Sequence, residues 1–229
     1  IWMRPIDDAY EYIAVYVDDL FIAAKDPASI IKVLEEEHHF KLKGTGPLQY
    51  HLGCDYTRDN TDTFCFGPRK YIDKMISSYE QFFGCKPSQK YSSPLEKGDH
   101  PEFDTSDLLD DIEVQRYQSL IGAMQWAISI GRFDIITAVM TLSSFRAMPR
   151  QGHMDRVKRI YGYLSKMKDA VIRLRVEEPD LSGLPEQAFD WSNTVYGDVK
   201  EMVPDDKPDP LGNCVTLIHY YDANLYHED

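Results

Sequence analysis

The chain has 229 residues, a formal net charge of −13, and 43% hydrophobic and 28% charged residues, an ordinary composition for a globular protein. No apolar run approaches the roughly 18 residues that a membrane-spanning helix needs, and no secretory signal opens the sequence. The four cysteines show no C-x-x-C spacing, which argues against a zinc knuckle and fits a reducing compartment. We therefore expect an intracellular protein that is neither secreted nor bound to a membrane.

The charge is distributed unevenly along the chain. Residues 149–175 have a net charge of +6, whereas residues 1–98, 99–148 and 176–229 have net charges of −3, −5 and −11. A basic segment therefore lies between two acidic ones, so the overall negative charge does not exclude a nucleic-acid partner.

Two short apolar runs, residues 12–17 and 20–24, flank the acid pair Asp18-Asp19. Both runs are rich in β-branched and aromatic residues and have the length of strands. They predict a β-hairpin with two carboxylates at its tip.

The signals that follow predict a helix and a second hairpin. Asp-Pro at positions 26–27 is typical of a helix N-terminus, and this helix is expected to end near the histidine pair at 38–39. Strand-like runs at 50–56 and 63–66 enclose a polar turn at 59–62 and predict the second hairpin.

From Pro68 onward the apolar period changes from two residues to 3.6, and Gly84 marks the end of a first helix. Further helical stretches are predicted at 117–128, 135–145 and 157–164, and their methionines are expected in the core (Met124, Met140 and Met148). The segments between and after the helices are a Pro/Ser-rich connection (87–94), an acidic loop (99–111), a linker (176–212) and a strand-like run (214–221). The whole pattern predicts an α+β fold.

The acid pair Asp18-Asp19 is the strongest local candidate for chemistry. Carboxylate oxygens are hard ligands that suit magnesium in two-metal phosphoryl-transfer sites. The alternative is a solvated acidic turn, since acidic loop tips are common. The pair His38-His39 is expected to be a helix-end feature, because adjacent helix positions diverge by about 100°.

The stretch Tyr16-Val17-Asp18-Asp19 resembles the Tyr-x-Asp-Asp motif of reverse transcriptases. The chain after it resembles copia-type retrotransposon polymerases in the order and spacing of several segments. These segments are residues 40–53, 69–72, 92–95, 117–122, 132–135, 157–164 and 220–223.

The resemblance implies four parts of a larger polyprotein. Residues 1–66 would be the C-terminal part of a polymerase palm, made of β-hairpins and a helix, and residues 67–175 a mainly helical, thumb-like region. Residues 176–213 would be an acidic, Pro-rich linker. Residues 214–229 would be the first strand of a ribonuclease H-like domain, whose first catalytic aspartate corresponds to Asp222.

The resemblance also implies roles in catalysis. Asp18 and Asp19 would bind magnesium or manganese, and Lys43 would protonate the leaving pyrophosphate or steady the triphosphate. Lys43 could equally be one more exposed lysine. The family has a further catalytic aspartate well upstream of this hairpin, so we expect this chain alone to be inactive and to bind metal weakly.

For nucleic-acid binding, the resemblance implies that Leu52 and Gly53 belong to a primer grip and that Tyr16 packs under the primer. The alternatives are an ordinary hairpin for the first two and a core position for Tyr16. In the basic segment, one helix would place four cations along the phosphates of a duplex, with a solvated helix face as the alternative. These cations are Arg156, Lys158, Arg159 and Lys166.

The implied function is that of a fragment of an RNA-directed DNA polymerase. Its partners would be an RNA/DNA template-primer duplex and nucleoside triphosphates, in a cytoplasmic particle or the nucleus. The alternative is a non-enzymatic remnant or a domesticated nucleic-acid- or protein-binding module. A third hypothesis, an acidic scaffold with no nucleic-acid role, has only the net charge to support it.

Overall fold

The computed structural model describes residues 1–175, residues 204–212, and a few positions between these ranges (180, 182–183, 193, 195, 197 and 202). The chain divides into two compact units, one containing Ile1–Thr45 with the described part of 176–229, the other containing Gly46–Arg175. This division falls inside the predicted palm segment, 1–66. Most of the predicted linker, and the predicted terminal strand with Asp222, lie outside the described residues.

Among the described helices, none is long and apolar enough to cross a membrane.

The first unit contains an antiparallel sheet of three strands in the order β1 (Trp2–Ile6), β2 (Ala9–Tyr16) and β3 (Asp19–Ala23). The sheet confirms the hairpin predicted around the acid pair. Strand β1 was not predicted, and its sequence includes Pro5. A proline is tolerated there because β1 is an edge strand of the described sheet.

One helix, α1 (Pro27–Glu36), follows the sheet. The carboxylate of Asp26 accepts a hydrogen bond from the backbone N–H of Ser29 at 3.3 Å, and Pro27 occupies the first turn. This confirms the predicted N-terminus. The helix ends shortly before the predicted position at residues 38–39.

The second unit contains a sheet with the antiparallel order β4 (Tyr50–His51), β5 (Cys54–Arg58), β6 (Phe64–Gly67) and β7 (Ile172–Leu174). The continuous strand predicted at 50–56 is wrong. Leu52 and Gly53 have φ of 48° and 89°, so they form a two-residue turn between β4 and β5.

Four α-helices complete the second unit: α2 (Arg69–Phe83), α3 (Asp111–Ser129), α4 (Ile136–Ser143) and α5 (Gln151–Lys166). Two short 3₁₀ turns lie at Pro101–Phe103 and Phe133–Ile135. Gly84 ends α2 with a φ of 68°, as predicted. The mixed architecture confirms the α+β class, with helices that pack around one apolar core.

The predicted core positions of the methionines are only partly confirmed. Met124 is fully buried, whereas Met140 and Met148 are exposed. Helix α4 turns Val139 and Leu142 into the core, which leaves Met140 on the solvent side, and Met148 lies in the connection that follows. The 3.6-residue period of this short helix predicts a buried face but not which of its apolar residues falls outside that face.

Residues 88–106, which we call the strap, lie along α5 and run antiparallel to it. At one end, Gln89 Nε2 donates a hydrogen bond to Ser165 Oγ at 3.0 Å. At the other end, the backbone N–H of Gly152 donates to Ser106 Oγ at 2.8 Å. The Pro/Ser-rich connection and the acidic loop of the sequence therefore cover one face of the basic helix.

Two glycines of α5 allow the strap to approach the helix closely. A Cβ atom on Gly162 would overlap the carbonyl oxygen of Ser88 and lie 2.8 Å from Tyr91 Cδ2. A Cβ atom on Gly152 would overlap the carboxylate of Asp104. Both positions therefore need glycine because of space, although glycine is unfavourable inside a helix.

Arg156 connects α5 to the strap through two carboxylates. Its guanidinium lies 2.7 Å from Asp99 Oδ1 and 2.6 Å from Asp104 Oδ2. The arginine side chain is 21% exposed, and the Asp99 and Asp104 side chains are 15% and 10% exposed. These charges are therefore poorly hydrated, and each depends on the others for compensation.

The network changes the acidity of its carboxyl groups. Hydrogen bonds from Arg156 lower the pKa of Asp99. Burial raises the pKa of Asp104, but hydrogen bonds from Ser106 and Arg156 outweigh burial and bring it down to about 2. Because folding lowers both pKa values, the ionised carboxylates stabilise the folded state at neutral pH.

Gly162→Ala should destabilise the protein by about 1–3 kcal/mol, because the new methyl group forces the strap away from α5. Gly122→Ala is the matched control, since Gly122 lies in α3 with no atom within 4 Å of its Cβ direction. It should be neutral or stabilising by up to about 1 kcal/mol. Urea unfolding measures both, and equal stabilities of the two variants would contradict the close approach.

Arg156→Gln should lower the free energy of unfolding by about 2–3 kcal/mol at pH 7, less than fully buried pairs lose because some water reaches these charges. The wild-type contribution is complete above the ordinary aspartate pKa of 3.8 and is lost as the pH falls towards about 2. The difference between wild type and variant should therefore shrink from pH 5 downwards. Arg58→Gln, which removes an ion pair to the exposed Asp62, is the control. Urea unfolding at several pH values tests this, and a difference that does not depend on pH would contradict it.

Candidate functional site

Asp18 and Asp19 lie at the tip of the β2–β3 hairpin, and both are exposed. Tyr16 pairs with Asp19 across the hairpin, so Val17 and Asp18 form a two-residue turn. Val17 has a φ of 55°, in the left-handed region that a β-branched residue rarely adopts. Backbone strain therefore coincides with the acid pair, a combination that is common at functional sites.

The same sheet has a second acidic tip that the sequence reasoning missed, Asp7-Asp8 between β1 and β2. There, Lys25 Nζ lies 3.0 Å from Asp8 Oδ1, and this hydrogen bond lowers the pKa of Asp8. Among the residues that the structure describes, no lysine or arginine forms an ion pair with Asp18. Lys25 therefore compensates part of the negative charge of Asp8.

The chemistry of the pair Asp18-Asp19 fits magnesium. Proteins often hold this ion with one or two carboxylates, and water and substrate phosphates complete its coordination. Within the described part of the chain, no group of three or more His, Cys, Asp or Glu side chains could hold a metal ion. The described residues thus offer two carboxylates side by side and no closed metal cage.

The other residues predicted for catalysis and primer contact lie in both units. In the first unit, Lys43 is exposed in the irregular segment after α1, and Tyr16 is half exposed, so the core position considered for Tyr16 is wrong. In the second unit, Leu52 and Gly53 form the β4–β5 turn. A Cβ atom on Gly53 would lie 3.3 Å from Ile130 Cδ1, so a close approach within the fold accounts for this glycine.

All four cations predicted to track phosphates lie on α5, but the strap and the helix itself provide partners for them. Arg156 is held by two strap carboxylates, as described above. Lys158 lies 3.6 Å from Asp155, and its Nζ is 5.0 Å from the centroid of the Phe83 ring.

Arg159 and Lys166 contact exposed partners on the strap, although the Arg159 side chain itself is only 15% exposed. Arg159 Nη1 lies 2.5 Å from Glu96 Oε1, and the Glu96 side chain is 73% exposed. Lys166 Nζ donates to Ser92 Oγ at 2.9 Å. In the sequence, the feature that points to these contacts is the positive net charge of residues 149–175 next to segments of negative net charge.

An ion pair between a buried arginine and a partly exposed aspartate lies within one of the segments that resemble the polymerase family. Arg132, which is almost fully buried, donates two hydrogen bonds to Asp134, at 2.9 and 2.7 Å. Tyr163 of α5 donates a third, at 2.8 Å. Burial raises the pKa of Asp134, and the hydrogen bond from Arg132 contributes most to the net lowering. This pair connects the junction of α3 and α4 to α5 and has a structural role.

The chain is similar to proteins encoded by transposons. It is 29% identical over 220 residues to the transposon Ty5-1 protein YCL074W of Saccharomyces cerevisiae, covering 95% of this chain and 66% of that protein. It is 30% identical over 155 residues to the retrovirus-related Pol polyprotein from transposon RE1 of Arabidopsis thaliana, covering 67% of this chain. The corresponding polyprotein from transposon TNT 1-94 of Nicotiana tabacum is 28% identical over 177 residues, or 74% of this chain.

The chain spans less than two thirds of the length of each of these relatives. It covers 66% of the yeast protein, 10% of the transposon RE1 polyprotein and 13% of the transposon TNT 1-94 polyprotein. No protein-family model and no solved structure matches the chain. The similarity nevertheless extends over most of its residues in several relatives. Over most of its length the chain is therefore a homologue of transposon-encoded proteins, among them retrovirus-related Pol polyproteins, and it matches one segment of those polyproteins.

Proposed function

We propose that this chain is part of the reverse transcriptase of a copia-type retrotransposon and contributes Asp18 and Asp19 to metal-dependent nucleotidyl transfer. The observation that carries the proposal is an exposed pair of adjacent carboxylates on a strained hairpin turn. Homology to Pol polyproteins supports it, because such polyproteins belong to elements related to retroviruses.

In the proposed reaction, a primer 3′-hydroxyl attacks a nucleoside triphosphate on an RNA or DNA template. Magnesium, when bound, activates the hydroxyl and neutralises the leaving pyrophosphate. Asp18 and Asp19 provide the negative charge that holds such an ion, and Lys43 protonates the leaving group or holds the triphosphate. Tyr16 contacts the primer beside the acid pair, and Leu52 with Gly53 contacts the primer backbone.

The remaining parts of the proposal concern the arrangement along the polyprotein. Residues 1–66 form the end of the palm and residues 67–175 a thumb-like region. The linker 176–213 leads to the start of a ribonuclease H-like domain at 214–229, with Asp222 as its first acid.

A non-enzymatic nucleic-acid-binding remnant is a second candidate function. The observation that favours it is the exposed position of Lys166 on α5, where the ammonium group donates to the neutral hydroxyl of the exposed Ser92. This function would not need the acid pair to bind metal. A measurement of metal binding at Asp18 and Asp19 therefore distinguishes the two candidate functions.

If the acid pair binds divalent cations, Mn²⁺ should broaden the NMR amide signals of residues 16–20 at lower concentration than those of residues 6–9. Asp18→Asn should raise the Mn²⁺ concentration needed by about tenfold, because one of the two carboxylates is lost. Asp7→Asn is the matched control at the other acidic tip and should leave the broadening at 16–20 unchanged. Equal sensitivity of the two tips in the wild type would contradict the proposed metal site.

A further inference from the structure

The first unit contains a pocket of about 270 Å³ that strands β1 and β2 and helix α1 line together. Pockets for drug-sized ligands have about 300–1,000 Å³, so this one has the size for a small molecule. The resemblance to polymerases gives none of its lining residues a role in catalysis or in nucleic-acid binding. Most of the pocket wall is apolar and consists of Trp2, Ile13, Ile30, Val33 and Leu34.

The strand register brings a charged residue into this apolar pocket. Trp2 of β1 lies opposite Ile13 of β2. Arg4 lies opposite Glu11, two positions further along both strands, so both pairs fall on the same face of the sheet. The Glu11 side chain is only 5% exposed, whereas the Arg4 side chain is 61% exposed. The fold therefore keeps the carboxylate of Glu11 away from bulk water, where an unpaired charge is costly.

The carboxylate of Glu11 is only half satisfied. Arg4 Nε donates a hydrogen bond to Glu11 Oε2 at 2.7 Å. Within the part of the chain that the structure describes, no group donates to the second oxygen, Oε1. Buried polar atoms nearly always have a hydrogen-bond partner, and a missing one is unfavourable. A ligand in the pocket that donates to Oε1 would remove this deficit.

The charge around the pocket favours a cationic donor. Residues 1–45 contain nine aspartates and glutamates but five lysines and arginines, a net charge of −4. A carboxylate ligand is an acceptor only, so it could not donate to Glu11 Oε1 and would be repelled by it. An ammonium group has three donors and a positive charge, and hydrogen bonds between charged groups are the stronger ones.

We propose that this pocket binds a small primary amine with an apolar body. The ammonium group donates to Glu11 Oε1, and the apolar body packs against Trp2, Ile13 and Val33, because burial of its surface is favourable. Arg4 is the internal competitor, since it holds the same carboxylate and is exposed enough to move into water. The inference goes beyond the proposed polymerase function and does not depend on it.

Three probes with one apolar body test the chemistry of the pocket: 2-phenylethylamine, 2-phenylethanol and 3-phenylpropionate. Each is added to the full chain at about pH 7, where the primary amine is protonated, and binding is followed by the NMR amide signals of Trp2, Ile13 and Val33. The amine should bind with a Kd of about 0.1–1 mM, in the range expected for so small a ligand. The alcohol should bind at least about tenfold more weakly, and the carboxylate should not bind.

Variants test whether Glu11 recognises the amine. Glu11→Gln should raise the Kd of the amine at least about tenfold and leave that of the alcohol within about twofold, because only the charge is lost. Glu35→Gln is the matched control, since Glu35 is an exposed residue of α1 outside the pocket, and it should leave both Kd values within about twofold. Arg4→Met removes the competitor and should lower the Kd of the amine about three- to tenfold.

Equal affinities of the amine and the alcohol would overturn the proposal, as would tighter binding of 3-phenylpropionate or no binding of the amine at ten times the expected Kd. Equal effects of Glu11→Gln and Glu35→Gln would reduce the attraction to the general charge of the unit and would also overturn it. Thermal unfolding of each variant checks that the fold is retained. Arg4→Met tests the site through a gain of binding that a folding defect cannot produce, and an unchanged or higher Kd would contradict the contact with Glu11.

The outcome is distinct from that of the proposed polymerase function, because no divalent metal enters these measurements. Amine binding that depends on Glu11, in a chain whose acid pair shows no preference for Mn²⁺, would support this pocket and contradict the metal site. The converse pair of results would support the metal site and overturn the amine pocket.

Discussion

The ion pairs of Arg156 with Asp99 and Asp104 hold an irregular segment against the helix at the centre of the second unit. Helix α5 packs against α2, α3 and α4, and the strap covers one of its remaining faces. Ordering the backbone of an irregular segment costs about 1–2 kcal/mol per residue, so the strap needs repeated contacts along its length. The charged hydrogen bonds at Arg156 provide the strongest of these, and Gly162 allows the close approach that the other contacts require.

This arrangement explains the uneven charge of the chain. The acidic loop and the basic segment have opposite charges because they are partners in the folded protein, and Arg156 shows this most clearly. A net charge for each segment therefore overstates the charge that remains to bind another molecule. Along α5 the partners differ: Arg156 contacts two largely buried carboxylates, whereas Lys158 and Arg159 contact exposed ones and Lys166 a neutral hydroxyl.

Elements with strong local signals were predictable from the sequence. The hairpin around Asp18-Asp19 follows from strand-like runs on both sides, and the helix after Asp26 follows from its cap and proline. The end of α2 at Gly84 follows from the left-handed conformation that glycine adopts readily. In each case the determining residues are neighbours in the chain, so their effect does not depend on the rest of the fold.

Elements that depend on distant contacts were not predictable. Strand β7 has three residues and exists because it pairs with β6, more than a hundred positions earlier. The turn at Leu52-Gly53 lacks the Asn-Gly or Asp-Gly signature, since leucine rarely adopts a positive φ. For the candidate sites, the sequence predicted the acid pair and the basic helix, but the partners of the basic helix lie on the strap, about 60 residues away in the chain. Pattern and propensity carry no information about such pairings.

Arg156 and Asp104 interact within the chain, and this ion pair holds the strap against the basic helix. A double-mutant cycle of Arg156→Gln and Asp104→Asn at pH 7, measured by urea unfolding, determines the strength of this interaction. We expect a coupling free energy of about 1–3 kcal/mol, as for residues within one hydrogen-bonded network. Effects that add within about 0.5 kcal/mol would show that the two side chains do not interact and would contradict it.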